Sequence, residues 1–182
     1  NPQDAVAYDV NFSVVALEIN DGSTVPTGLA GAETVNETCP PMVDADQLAE
    51  DIGEAMHDGY FYAYFRVIRE ANPNTVNSSW GFAPAAATVD GVAAGTWAVS
   101  VDGGASFSAF AGSQTIPTGV NEIYVRVQVD NAATASDRSI VLNIGNTTAD
   151  SGGLEVDQNT TGVNIATITV DPLPTVGTFG VQ

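Results

Sequence analysis

Acidic side chains dominate the chemistry open to this chain. Against 22 Asp and Glu the sequence sets four basic residues, all arginine, and one histidine, for a formal charge of −18 over 182 residues. Many of the acids stand where turns are expected, beside Gly, Asn or another acid: Asn20-Asp21-Gly22, Asp44-Ala45-Asp46, Asp58-Gly59, Asp90-Gly91, Asp102-Gly103-Gly104, Asp130-Asn131 and Asp150-Ser151-Gly152. Carboxylates, amide oxygens and freed backbone carbonyls on loops are the all-oxygen ligand set that calcium prefers. The pattern points to several Ca2+ ions, with Asp21, Asp44, Asp46, Asp58, Asp102, Asp130, Asn131, Asp137, Asp150, Asp157 and Asp171 as candidate metal ligands. Asp130, Asn131 and Asp137 bracket one loop, and Asp150 and Asp157 belong to the next. Asp21 and Asp171 lie toward the two ends, where they could share ions with neighbouring domains. The competing reading is a hydrated acidic surface, since net charge alone speaks to solubility and not to fold.

Catalytic chemistry finds little support. His57 is the one histidine, which removes a two-histidine zinc site, and no Gly-x-Ser-x-Gly elbow offers it a nucleophile. Cys39 is followed by two prolines and has no cationic neighbour to lower its pKa. No glycine loop suits a phosphate, and no pair of carboxylates is singled out by spacing as a glycosidase pair. The expectation is a protein that is not an enzyme.

Recognition chemistry is better represented. Tyr60, Tyr62, Tyr64 and Arg66 alternate with Phe61, Ala63, Phe65 and Val67, so a strand through them puts tyrosines and arginine on one side and apolar residues on the other. Exposed aromatics with arginine are what binding patches use. The rival use of that side is filling, with the tyrosines packed beneath a second sheet. Trp80 joins the candidate ligand-binding residues as a ring that could stack on a ligand, with a place in the core as its rival reading, whereas Trp97, in mid-strand, reads as core.

The elements that must carry these groups are mostly strands. Alternating runs at 10–19, 60–68, 96–101, 106–110, 122–129, 139–144 and 162–170, separated by turn clusters, indicate an all-β, antiparallel two-sheet Ig-like sandwich. An Asp-Gly pair between alternating segments marks a hairpin at Asp102-Gly103. One helix is expected over about 45–57: Asp44 can cap it, Leu48, Ile52 and Met56 recur at helical spacing, and Gly59 follows its end. Its Glu50, Glu54 and Asp58 form an acidic stripe that repels itself unless hydrated or bound to a cation. The span 31–84, which holds this helix, reads as an insertion into a single domain.

With 44% apolar and only 14% charged residues the chain has material for a core. Four scattered arginines cannot build a phosphate-neutralising stripe, so nucleic acid is not expected as a partner, and an anionic membrane surface is disfavoured for the same reason. No apolar run approaches the roughly 18 residues that a membrane span needs. A lone cysteine allows no internal disulfide, and the composition favours an exported domain that uses metal ions in place of disulfides. Asn1-Pro2 opens without a leader, and 172–182 begins Pro-Leu-Pro in the manner of a linker, so a piece of a longer protein is expected.

Three segments of the second half carry a family likeness: Ser100-Val101-Asp102-Gly103-Gly104-Ala105-Ser106-Phe107; Ile116-Pro117-Thr118-Gly119-Val120 leading into Tyr124-Val125-Arg126-Val127-Gln128-Val129-Asp130; and Thr161-Gly162-Val163-Asn164-Ile165-Ala166-Thr167-Ile168-Thr169-Val170-Asp171. In this order, over about 96–171, they resemble the repeat domains of very large bacterial RTX adhesins. The chain departs from the simple repeat where 132–136 replaces an acid-rich loop and in its 31–84 span. An interrupted sandwich of this size resembles the peptide-binding domain of such adhesins. That resemblance implies a type I secreted, cell-surface protein in which calcium shapes a pocket for the C-terminal residues of proteins on a host or neighbouring cell. A calcium-stiffened extender between adhesin domains and a calcium-dependent carbohydrate-binding module are the alternatives.

Overall fold

The computed structural model describes residues 10–20, 22–26, 34–37, 60–69, 80–82, 86–93, 96–110, 114–130, 137–144, 148–149, 158–159 and 164–170. Among these residues the protein is all-β and sandwich-like. Its strands in chain order are β1 (Val10–Asn20), β2 (Thr34–Glu37), β3 (Tyr60–Arg69), β4 (Trp80–Phe82), β5 (Ala86–Val89), β6 (Val92–Ala93), β7 (Trp97–Ser100), β8 (Ser108–Ala109), β9 (Gln114–Ile116), β10 (Glu122–Asp130), β11 (Arg138–Asn143), β12 (Thr148–Ala149), β13 (Gln158–Asn159) and β14 (Ile165–Val170). A six-stranded sheet runs in the order β13-β1-β3-β10-β7-β8 and a five-stranded sheet in the order β2-β14-β11-β5-β6. A small sheet joins β12, β4 and β9. Among the described residues all pairings are antiparallel except β13 on β1 and β2 on β14.

Period-two patterning explains the layers. Phe61, Ala63, Phe65 and Val67 of β3 and Ile123, Val125, Val127 and Val129 of β10 pack into one core with Ile140 and Leu142 of β11 and Ala166, Ile168 and Val170 of β14. Trp97 and Val99 extend that core, with the Trp97 ring 5.8 Å from Phe65. Each fully buried Val, Ile, Leu or Phe is worth about 1.5–3 kcal/mol over its exposed state, so this interior dominates stability.

Strand β1 does not follow one alternation throughout. Phe12, Val14 and Ala16 enter the core, but so does Ile19, one residue out of phase. A bulge settles the conflict: Ala16 pairs with Phe65 and Ile19 with Ala63, leaving one extra residue between them. Val15 and Leu17, alternating with those core residues, face the opposite side of the sheet, where they pack with Tyr64.

The span 31–84 supplies strands to both main sheets. Strand β3 lies inside it and is bordered by β1 and β10 as a middle strand of the six-stranded sheet, while β2 edges the other sheet. The helix expected over 45–57 lies outside the described residues.

Of the four Asp-Gly pairs, the two that the described residues contain in full fold differently. Asp90 (φ 52°) and Gly91 (φ 76°) form the tight turn between β5 and β6, both central residues having the positive φ that a type I′ hairpin requires. The hairpin expected at Asp102-Gly103 exists, with Val99 opposite Ser108, but it is closed by a wide loop over 101–107 rather than by a two-residue turn.

Candidate functional site

The site rests on the outer face of the six-stranded sheet. Strands β3 and β10 pair with Tyr64 opposite Arg126, and their even-numbered residues share one face. Together they form a continuous patch: Tyr60, Tyr62, Tyr64 and Arg66 from one strand, Glu122, Tyr124, Arg126 and Gln128 from the other.

Most of the tyrosine side is neither bare surface nor the inside of the sandwich. Tyr64 is fully buried, packed with Val15 and Leu17 from β1 and edge-on to Phe107 at 6.0 Å. Tyr62 and Tyr60 are half-buried and meet edge to face at 5.7 Å. Arg66 lies 3.9 Å from Glu122, which also accepts a 2.9 Å hydrogen bond from Tyr124 Oη. Burial, then the bond to Glu122, pushes the Tyr124 phenol above its ordinary pKa.

Two loops cover the middle of this face. Residues 22–26 follow β1, held by an Asx turn in which Gly22 N donates to Asn20 Oδ1 at 2.8 Å. Residues 101–107 fold back from β7 and are organised by a serine–aspartate cluster. Ser100 Oγ donates to Asp102 Oδ1 (2.7 Å) and accepts from Gly104 N (2.8 Å), while Ser106 donates to Asp102 through both N (3.0 Å) and Oγ (2.5 Å). These bonds stabilise the ionised carboxylate and hold Asp102 at about 2, with the Ser106 hydroxyl contributing most. The loops touch at Gly104, where an added Cβ would run into Val25 Cγ2.

Between the loops and the sheet lies a recess of about 260 Å³, lined by residues 22–25, 104–107, Tyr64 and Arg126. The Arg126 guanidinium sits between two rings, 4.1 Å from the Phe107 centroid and 4.4 Å from that of Tyr62. Its Nη1 donates to Tyr64 Oη at 3.3 Å. Such a clamp can bind an anionic or hydrogen-bond-accepting group; it supplies neither a nucleophile nor a general base.

Of the expected ligand-binding residues, the structure gathers Tyr60, Tyr62, Tyr64 and Arg66 on one face. Trp80 lies on β4 in the small sheet and not on that face. Arg126 and Phe107 complete the site and stand outside the expected set. The alternation of Glu122, Tyr124, Arg126 and Gln128 is visible in the sequence; which strand lies beside it is not.

Of the expected metal ligands, Asp102 is engaged by Ser100 and Ser106, Asp137 is exposed ahead of β11, and Asp130 ends β10 opposite Tyr60. Asp21, Asp44, Asp46, Asp58, Asn131, Asp150, Asp157 and Asp171 lie outside the described residues. Among the described residues no three His, Cys, Asp or Glu side chains converge on a metal site.

No protein-family model and no curated protein matches the chain. Among solved structures, it is similar to the N-terminal domain of PorA, with a TM-score of 0.37 and 11% identity over 87% of this chain and 96% of that one. A likeness so distant transfers nothing about function.

Proposed function

We propose that this chain is a non-enzymatic, calcium-dependent ligand-binding module of a bacterial cell-surface adhesin, which captures the C-terminal ends of proteins on another cell. The observation that carries the binding reading is the outer face of β3 and β10, where aromatic rings and a guanidinium surround a recess on a firm sheet. In this reading the domain is an Ig-like sandwich with a short helix inserted over 45–57, and calcium held by turn acids sets the loops. Asp21 directly precedes Gly22 of the recess, so an ion there would act on the loop that lines it.

Arrays of random C-terminal peptides and of glycans, each probed with calcium and with chelator, test the proposal. Peptide signal that chelator weakens is the expected result. Signal confined to glycans would make the chain a carbohydrate-binding module, and silence on both would leave an extender domain. Calcium that binds only the native state must also raise the melting temperature. An unchanged melting temperature in chelator at low salt would reduce the acids to a hydrated surface.

A further inference from the structure

Arg126 differs from the other arginines in what it meets. Arg66 faces Glu122, Arg138 donates to Asp90 at 2.6 Å, and Arg69 donates to Asn121 Oδ1 through Nε (2.9 Å) and Nη2 (2.7 Å). Among the described residues Arg126 has no carboxylate or amide-oxygen partner: of five N–H donors, one reaches Tyr64 and Nε is buried without a partner. The flanking rings fix the plane of the cation without neutralising its charge. A fixed guanidinium plane is the geometry that favours paired hydrogen bonds to a carboxylate.

The recess adds charge and size selection. Among the described residues no acidic side chain lines it, although the chain carries 22 acids. Its volume of about 260 Å³ falls short of the roughly 300–1,000 Å³ of sites that enclose a whole drug-sized ligand, which suits an end group. Ser23, Thr24 and Ser106 line it beside apolar Val25 and Phe107, a mixed lining that suits a peptide end, with the Gly104 and Ser106 amides already engaged by Ser100 and Asp102.

We propose that Arg126 anchors a carboxylate subsite, in which the recess takes the free C-terminus of a peptide whose preceding residues cross Tyr62 and Tyr60. This rests on the reading that the tyrosine-arginine face binds ligand, and it makes the guanidinium, rather than calcium, the direct partner of the carboxylate.

The test titrates the ¹⁵N-labelled chain with N-acetylglycine, N-acetylglycinamide and glucuronic acid, in chelator and in calcium, and follows Arg126 Nε–H and the amides of Ser23, Gly104 and Ser106. N-acetylglycine is expected to shift these signals saturably in both buffers, at least tenfold more tightly than the amide. Arg126→Gln should weaken it at least tenfold while distant amides stay in place; should that variant misfold, Arg126→Lys is expected to weaken it several-fold. Equal binding of acid and amide, or unchanged binding by the variants, overturns the proposal. Tighter binding of glucuronic acid overturns the peptide assignment. Saturation only in calcium returns the carboxylate to the metal and leaves the broader reading standing, whereas N-acetylglycine binding with silent arrays keeps the subsite and removes the adhesin.

Discussion

Two Asp-Gly segments, at 90–91 and 102–104, start from nearly the same residues and end in opposite roles. At the first, Asp90 Oδ2 accepts from Arg138 Nε at 2.6 Å and Oδ1 from Ser139 N at 2.8 Å, so the carboxylate ties the turn to β11 and neutralises its arginine. At the second, the Asp102 carboxylate is used inside its own loop by Ser100 and Ser106, and the loop lies over Arg126 without offering it an acid. The difference lies in where the carboxylate goes. One turn closes a charge pair with β11; the other builds a wall over Arg126 and, among the described residues, leaves it without an acidic partner.

Glycine substitutions should widen that contrast most. Gly104→Ala drives a methyl into Val25 Cγ2 at a φ of +91°, and should cost on the order of 2–3 kcal/mol in urea unfolding as well as opening the recess. Gly91→Ala meets nothing within 4 Å at φ +76°, and should cost about 1 kcal/mol of backbone strain with the recess unaffected. Equal costs would mean that the two loops do not hold each other.

Asp90→Ala comes next. It removes a charge-assisted bond and a backbone acceptor at a partly exposed site, for about 1–2 kcal/mol by the same unfolding measurement. Signals of the recess should not move, since Arg138 lies on the other sheet.

The smallest effect is a titration. The Asp102 carboxyl, held at about 2 against an ordinary 3.8, should titrate late in a carbon-detected NMR series as the pH is lowered. Because its folded pKa is depressed, its contribution is present above pH 3.8 and is lost as pH falls through 2. Ser106→Ala should bring that titration back toward 3.8.

Part of this molecule follows from the sequence alone. Side chains alternate across a strand, so local geometry separates Phe61, Ala63, Phe65 and Val67 from Tyr60, Tyr62, Tyr64 and Arg66, and the Asp-Gly pairs at 90–91 and 102–103 mark real reversals. Tertiary pairing decided the rest. It made β3 a middle strand, drew short segments such as β5, β6 and β9 into sheets, and set Arg126 beside Tyr64 across 62 residues of chain. Alternation tells which face a residue occupies, but a site shared by two strands and a covering loop depends on register and loop closure, which no local pattern encodes.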